Sequence, residues 1–298
     1  MSLMGWREPK LGYLLILLGI FAWSTQAFVT KIIVTSIGFF STYFFASLFT
    51  AITALVLYLI LYRNKIDFSF LFSPLRIIIL SIFLAIANFL LFASFEVITA
   101  TDVIVLLYIY PILMSVEDSV IFKRKLTNRE IVALSLGFIG IFISITKGNP
   151  LTLHIGDIFA DILVLVAAFS WATYLVLQKR YNLEEFSSNG IAFLLSTLYS
   201  LPIIIIFPKL LSYGLVFTDI NILLLLLYFS IVTFALGNVL YVKGLKRTKI
   251  VNTSLLTYLT PVIAVILNFL VLKEEIFWYN LLPLLLIFIG YLLINKKA

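Results

Sequence analysis

Apolar runs separated by short polar segments follow one another along the whole chain. Each run is close to the roughly 20 residues that an α-helix needs to cross the hydrocarbon core of a bilayer. The polar connections are too short to hold a soluble domain, so the pattern predicts ten membrane-spanning helices. The expected spans are residues 11–33, 39–62, 75–96, 101–122, 130–146, 156–179, 189–207, 220–242, 250–272 and 277–295.

The composition indicates the same class of protein. Hydrophobic residues make up 63% of the chain and charged residues 12%, against roughly 45–50% and about 25% in soluble domains. A soluble enzyme is excluded, because so few charges would not keep its surface dissolved. The net charge of +7 does not indicate a nucleic-acid partner, since the charges lie between apolar segments rather than on one face. The expected fold class is an all-α integral membrane protein.

The cysteine and histidine content excludes further kinds of site. The chain has no cysteine, which rules out disulfides and thiolate metal sites. Its single histidine, His154, lies in a predicted loop without partners. We therefore expect no metal site and no cofactor, and the P-loop pattern of nucleotide-binding proteins is absent.

Lysine and arginine in the loops predict the orientation, because cytoplasmic loops carry an excess of these residues. With the N-terminus placed in the cytoplasm, all but four of the 21 Lys and Arg residues fall in inside segments. The exceptions are Lys31, Lys147, Lys209 and Lys273. The sequence therefore predicts a multi-pass protein of the plasma membrane with both termini cytoplasmic.

Several features recur in the same order at a separation of about 150 residues. A proline inside a helix is costly, yet Tyr-x-x-Pro occurs at 108–111 and again at 258–261. FAWSTQAFVTK (21–31) is similar to FSWATYLVLQK (169–179), with an offset of 148. The further matches are Asn88 with Asn238, Leu106 with Leu256, and FIG at 138–140 with FIG at 288–290.

The repeat divides the chain into two halves, residues 1–150 and residues 151–298. Each half holds five predicted spans, and because five is odd the second half must be inverted relative to the first. Inverted-topology repeats are typical of secondary transporters, in which exchanging the conformations of the halves opens the cavity to alternate sides.

Two stretches carry a resemblance to a known family. LVAAFSWATYLVLQKRY (165–181) and VLYVKGLKRTKIVNTSLLTYLTPVIAVILNFLVLKEE (239–275) resemble the second repeat of the EamA-like ten-helix transporters of the drug/metabolite transporter superfamily. The first half resembles it more loosely, so nearly the whole chain is covered. Family members usually carry an acidic residue just after the proline helix; Glu274 matches it, whereas Arg124 stands at the equivalent position of the first half. The resemblance implies export or uptake of small metabolites, often amino acids, without an ATP site.

The duplicated prolines are candidates for the binding site. Pro111 and Pro261 each leave one backbone carbonyl without its usual amide donor, and a freed acceptor that faces a cavity can bind substrate. A static kink that only shapes packing is the alternative. Because the feature is duplicated, we expect cavity-lining kinks, to which Tyr108 and Tyr258 could add hydroxyl groups.

Tryptophans in the middle of two equivalent spans are further candidates. Trp is usually found at membrane interfaces, but Trp23 and Trp171 lie too deep for that. Gln26 and Tyr174 follow three residues later, so each pair shares a helix face. We expect an aromatic and polar cavity wall; interhelical packing is the alternative.

Matched asparagines lie in the third and eighth spans. An unpaired amide in lipid is costly, so Asn88 and Asn238 either bond across helices or contact substrate. Tyr110 is expected to serve packing, because Thr260 replaces it in the other half.

Acidic residues inside the spans are functional candidates by default. Asp161 in the sixth span is the best candidate for proton coupling, and an interfacial acid paired with an outer lysine is the alternative. Asp118 shares the helix face of Pro111 and is a second candidate. For Glu117 and Asp118 we expect pairing with the basic residues 123–125, with a gate as the alternative.

The sequence thus favours a carrier whose cavity is lined by spans one, three, four, six, eight and nine. Its aromatic and amide character suits an uncharged or zwitterionic small molecule, such as an amino acid. The expected partners are this substrate and membrane lipid, and monomer and homodimer both stay open. A passive channel would show a polar stripe through several helices. A lipid-modifying membrane enzyme would need a catalytic cluster; neither feature is visible.

Overall fold

The computed structural model describes residues 9–62, 74–121, 127–149, 155–248, 253 and 256–295. All regular elements within these ranges are helical, as lipid requires, because a helix satisfies its backbone hydrogen bonds internally. The helices up to residue 149 are α1 (Pro9–Ser24), α2 (Gln26–Ile37), α3 (Phe39–Leu61), α4 (Pro74–Val97), α5 (Ala100–Leu107), α6 (Tyr110–Ile121) and α7 (Asn128–Ile145).

The second part of the chain repeats long apolar helices with more interruptions. It holds α8 (Ile155–Tyr181), α9 (Glu185–Tyr199), α10 (Leu201–Ile206), a 3₁₀ turn (Pro208–Leu210), α11 (Tyr213–Thr218), α12 (Ile220–Tyr228), a π-helical segment (Phe229–Gly237), α13 (Asn238–Arg247), α14 (Leu259–Leu272) and α15 (Trp278–Asn295).

Seven apolar helical stretches within the described ranges are long enough to cross a membrane. They are Lys10–Ile37, Phe39–Leu61, Pro74–Val97, Ala100–Ile121, Ile158–Tyr181, Glu185–Ile206 and Ile220–Arg247. Three shorter apolar helices, Ile131–Ser144, Leu259–Leu272 and Trp278–Gly290, lie at the positions of the other three expected spans. The multi-pass membrane class is therefore confirmed, and seven of the ten expected spans meet the length criterion.

Glycine pairs bring α1 into close contact with α13 and with the end of the π segment. Gly12 lies against Gly244, and Gly19 lies against Gly237. A Cβ atom added at Gly244 would stand 2.6 Å from the carbonyl oxygen of Gly12, and one at Gly19 would stand 3.0 Å from the carbonyl oxygen of Gly237. Small residues of this kind let membrane helices pack backbone to backbone.

Two other helix pairs pack in a similar way. In α4 and α8, the Ser94 hydroxyl donates to the carbonyl oxygen of Ala160 at 3.2 Å. In α7 and α15, a Cβ atom at Gly140 would stand 3.2 Å from Cα of Pro283, and one at Gly290 would stand 3.0 Å from the carbonyl oxygen of Ala133. These pairs form the contacts around which the remaining helices are arranged.

Helical breaks occur at both Tyr-x-x-Pro motifs. The helix is interrupted at Tyr108 and Ile109, between α5 and α6, and a turn at Tyr258 precedes α14. Each break lies within the three residues before its proline, because the ring removes the amide donor and clashes with the preceding turn. The π-helical segment is a third distortion, of a kind frequent at functional sites.

Gly244→Ala should destabilise the protein by overpacking the α1–α13 contact. The new methyl group would meet backbone atoms at 2.6–3.0 Å, and overpacking of this kind costs about 1–3 kcal/mol. Thermal unfolding in detergent should show a fall in Tm. Gly214→Ala is the matched control, because its Cβ atom would meet nothing within 4 Å. Equal Tm values for the two variants would contradict close α1–α13 packing.

Candidate functional site

A central cavity lies where α1, α2, α4, the α5–α6 break, α8, the π segment and α13 meet. Its cavity volume is about 20 Å³, and a single water molecule needs roughly 10–15 Å³. The conformation is therefore collapsed, and a metabolite could enter only after the helices move. Among the lining residues are Trp23, Gln26, Asn88, Tyr108, Trp171 and Asn238.

Trp23 and Trp171 line one side of this cavity, and two further aromatic rings support them. Trp23 and Trp171 meet edge to face, with ring centroids 5.7 Å apart. Trp171 stacks on Tyr174 at 5.3 Å, and Trp23 packs on Tyr241 at 4.4 Å. Such geometries are favourable for aromatic pairs, so the rings hold each other in fixed positions.

A chain of buried hydrogen bonds supports Trp23 from behind. Its indole N–H donates to Oδ1 of Asn238 at 3.0 Å, and Nδ2 of Asn238 lies 3.5 Å from Oδ1 of Asn189. The Tyr174 hydroxyl donates to the same Asn189 oxygen at 3.0 Å, and Nε2 of Gln178 donates to Tyr174 at 3.0 Å. These bonds tie α1, α8, α9 and α13 together.

The matching pair on the other side of the cavity is not bonded. Trp171 and Asn88 correspond to Trp23 and Asn238 at the offsets of 148 and 150. Among the described residues, the buried Nδ2 of Asn88 has no hydrogen-bond partner. An unsatisfied buried donor costs about 1–3 kcal/mol, so the cavity offers an amide donor with a strong tendency to bind a ligand or water.

The α5–α6 break adds a backbone acceptor to the cavity wall. Tyr108 N donates to the Ile104 carbonyl at 3.2 Å, and Ile109 N donates to the Leu106 carbonyl at 3.3 Å. Pro111 has no N–H for the Leu107 carbonyl, and Leu107 lines the cavity. The Leu107 carbonyl is therefore a candidate acceptor for a ligand that carries a donor group.

One end of the bundle, which we call the Lys31 end, is closed by charged side chains on helix termini. Nζ of Lys31 donates to the carbonyl oxygens of Phe95 at 2.7 Å and Ile98 at 2.9 Å, at the C-terminus of α4. The Glu274 carboxylate accepts from the backbone N–H groups of Ala100 at 2.8 Å and Thr101 at 2.9 Å, at the N-terminus of α5. Both charges complement the helix dipoles.

The opposite end, the Lys179 end, is closed in a comparable way. Nζ of Lys179 donates to the carbonyl oxygen of Thr248 at 3.1 Å, just past the C-terminus of α13. Lys246 forms an ion pair with Glu185 at 2.9 Å, which joins α13 to α9. The Thr248 hydroxyl also shares a 2.6 Å hydrogen bond with Thr253.

Comparison with known proteins identifies the family. The model of the EamA-like transporter family, part of the drug/metabolite transporter superfamily, matches residues 10–146 and 158–296. The chain belongs to this family. The family resemblance seen in the sequence is confirmed.

Relatives and solved structures support the assignment. An uncharacterized transporter of Clostridium kluyveri is 28% identical over 60% of this chain and 58% of its own length. One of Archaeoglobus fulgidus is 24% identical over 62% and 63%, and the uncharacterized transporter YyaM of Bacillus subtilis is 22% identical over 62% and 61%. The alignments thus span about three-fifths of each relative. A solved crystal structure shares the fold with a TM-score of 0.67 over 95% of this chain and 96% of that chain, at 15% identity.

Four of the expected site residues lie away from the cavity lining. Tyr174 is fully buried behind Trp171, and Pro111 is buried within α6. Tyr258 and Pro261 line a separate apolar groove between α14 and α15. The ninth span therefore contributes nothing to the described lining, contrary to expectation.

The reason is the position of Tyr241. Its ring packs on Trp23, and its hydroxyl shares a 2.9 Å hydrogen bond with the Thr257 hydroxyl. Tyr241 on α13 thus lies between Trp23 and Thr257, the residue just before the second Tyr-x-x-Pro motif.

Sequence reasoning missed two aromatic lining residues. Tyr110, expected to serve packing alone, lines the cavity beside Tyr108, with ring centroids 5.3 Å apart. Phe234 also lines the cavity, and it lies in the π segment. No residue pattern marks a π-helix, whereas the alternation Tyr-x-Tyr before Pro111 was a usable signal for Tyr110.

The acidic candidates lie outside the cavity lining. Asp161 on α8 is 5% exposed and has an interaction partner, as does Asp118. Asp118 interacts electrostatically with Lys179. Oε1 of Glu117 lies 3.1 Å from the Thr173 hydroxyl oxygen, within hydrogen-bond distance. The expected pairing with residues 123–125, like the positions of Arg124 and His154, lies outside the described residues.

Proposed function

We propose that this transporter is a secondary carrier made of two inverted halves, residues 1–150 and 151–298, of five helices each. It moves a small uncharged or zwitterionic metabolite, of the amino-acid class, by opening the central cavity to alternate sides. The single observation that carries the proposal is the matched set of aromatic and amide groups, from both halves, around one cavity.

Equivalent helix contacts support the inverted relation of the halves. The α7–α15 contact contains the same pairing twice, because Ala133 is equivalent to Pro283 and Gly140 to Gly290 at the offset of 150. The α1–α13 contact has its counterpart in α4–α8. There Gly12, Gly19, Gly237 and Gly244 are replaced by the small residues Ala160, Ala167, Ala87 and Ser94.

The lysines at the two ends support the same relation. Lys31 and Lys179 are equivalent at the offset of 148, and their acceptors Ile98 and Thr248 are equivalent at the offset of 150. We call each of these lysine-to-carbonyl contacts a latch, and one latch closes each end of the bundle. Two equivalent latches at opposite ends are what a carrier needs in order to open one end while the other stays closed.

The cavity chemistry supports a neutral or zwitterionic substrate. The described residues of the lining include no charged side chain. A substrate with a net charge would therefore lose its hydration there without gaining an opposite charge. Amide and indole N–H groups at Asn88 and Trp171 suit a carboxylate or carbonyl. The aromatic faces and the Leu107 carbonyl suit an ammonium group. An amino acid presents both groups.

The distribution of charges supports an orientation in the plasma membrane. The Lys179 end carries Lys243, Lys246 and Arg247 on α13, and basic residues accumulate on the cytoplasmic side. The Lys179 end is then cytoplasmic, together with both termini, and the Lys31 end faces outward.

Ligand-dependent unfolding tests the substrate class. We would measure Tm of the detergent-purified protein against the common amino acids, with the corresponding amides and amines as controls. A ligand at 100 times its Kd should stabilise the folded state by about 2.7 kcal/mol. At least one amino acid should raise Tm while its amide and its amine do not. If no amino acid raised Tm, the assignment of a zwitterionic substrate would be contradicted.

A further inference from the structure

A carboxylate within the membrane-spanning part of the protein lies outside the substrate cavity. Glu117 lies on α6, four residues before its end, about 6 Å along the helix axis. Its Oε1 atom is 3.1 Å from the Thr173 hydroxyl on α8. Neither residue lines the cavity, so substrate binding alone does not account for this contact.

The Thr173 hydroxyl has one proton and two acceptors. Its Oγ1 lies 3.1 Å from Oε1 of Glu117 and 3.0 Å from the carbonyl oxygen of Phe169, one helical turn earlier. A hydroxyl donates one hydrogen bond and accepts others. The single Thr173 proton can form a full hydrogen bond with only one of the two acceptors. When Thr173 donates to Phe169, a protonated Glu117 can donate to the Thr173 oxygen, and both contacts are then full hydrogen bonds.

The second carboxylate oxygen supports the protonated form. Oε2 of Glu117 is buried and has no hydrogen-bond partner among the described residues. Burying an ionised carboxylate without partners is far more costly than burying a neutral acid. The neutral acid needs one acceptor for its proton, and Thr173 supplies it.

No charged side chain among the described residues pairs with Glu117. On α6 the neighbour Asp118 interacts with Lys179 of α8, whose Nζ donates to the Thr248 carbonyl. Arg129, in the first turn of α7, has another interaction partner. The α15 helix has no charged residue between Trp278 and Asn295. Thr173 is thus the one hydrogen-bonding partner of Glu117 within the described ranges.

We propose that Glu117 is a proton-binding site, occupied in this closed conformation and released when α6 separates from α8. Oε1 then loses the Thr173 contact and the acid meets water at the Lys179 end, where it ionises. Because α6 begins at the cavity-lining break, the same movement carries Tyr110, which couples the proton to the state of the cavity.

Infrared spectroscopy of the protein in nanodiscs tests this site without any substrate. The C=O stretch of a protonated carboxylic acid should be present at neutral pH and disappear on titration towards about pH 9. Glu117→Gln should remove the band. Thr173→Val should shift its frequency, because the acceptor is lost. Asp118→Asn and Asp161→Asn are matched controls that should leave it unchanged.

Three outcomes would overturn the proposal. They are the absence of a titrating acid band in the native protein, its persistence in Glu117→Gln, and its loss in Asp118→Asn or Asp161→Asn. If Glu117→Gln fails to fold, Glu117→Asp replaces it in the test. The C=O stretch of the acid in Glu117→Asp should then differ in frequency from the native band. Since no ligand is present, a failure here is distinct from a failure of the amino-acid assignment.

Discussion

Replacing Trp171 with alanine should abolish measurable ligand binding, or weaken it at least tenfold, without unfolding the protein. The ring forms one cavity wall, meets Trp23 edge to face at 5.7 Å and stacks on Tyr174 at 5.3 Å. Contact with an aromatic face contributes about 0.5–2 kcal/mol to binding a cation or ring, and the indole N–H adds about 1 kcal/mol. A loss of 1.4 kcal/mol is about tenfold in Kd.

Calorimetric titration with an amino acid that raises Tm measures this loss directly. Trp171→Phe should retain part of the affinity, because a ring remains but its N–H does not. Trp278→Ala is the matched control, since that ring is 58% exposed and lies outside the cavity lining. If Trp171→Ala and Trp278→Ala both bound the amino acid with the native Kd, the ligand would bind elsewhere.

Lys31→Met and Lys179→Met should shift access to the cavity in opposite directions. Each lysine donates charge-assisted hydrogen bonds to a helix C-terminus at its own end of the bundle. Hydrogen bonds to charged groups contribute about 1.5–3 kcal/mol, so losing one latch should change the ratio of outward-open to inward-open protein by tenfold or more. Lys31→Met should favour the outward-open state and Lys179→Met the inward-open state.

Labelling of an introduced cysteine measures access to the cavity. Because the chain has no native cysteine, a thiol reagent reacts only with the introduced one. A single cysteine at Ala167, a cavity-lining position, can be labelled with a membrane-impermeant maleimide added to right-side-out or inside-out vesicles. Lys209→Met, at an exposed lysine, is the control and should change neither rate. If both latch variants increased labelling from the same side, the two ends would not be alternate gates.

The sequence predicted features that depend on local patterns. Hydropathy gave the helical membrane class, because lipid forces long apolar helices. The repeated Tyr-x-x-Pro motif predicted helix breaks at both places, because the effect of proline on a helix is local. The tryptophans and asparagines stood out because such side chains are costly at mid-membrane depth.

Features that depend on packing between distant helices were not predictable. Span nine was expected at the cavity, but Tyr241 from the eighth span lies between Trp23 and Thr257. The π segment that brings Phe234 to the cavity has no sequence signature. The contact of Glu117 with Thr173 joins residues 56 positions apart, and the cap of Glu274 on α5 joins residues 174 positions apart.

Counterflow in proteoliposomes tests most directly whether the protein is an alternating-access carrier. Vesicles would be loaded with an unlabelled mixture of amino acids and diluted into a trace of the same mixture carrying a radiolabel. A carrier exchanges outgoing for incoming substrate, so the label should accumulate transiently above its equilibrium level, and Trp171→Ala should abolish the overshoot. A monotonic approach to equilibrium, identical with and without preloading, would indicate a channel and contradict the carrier.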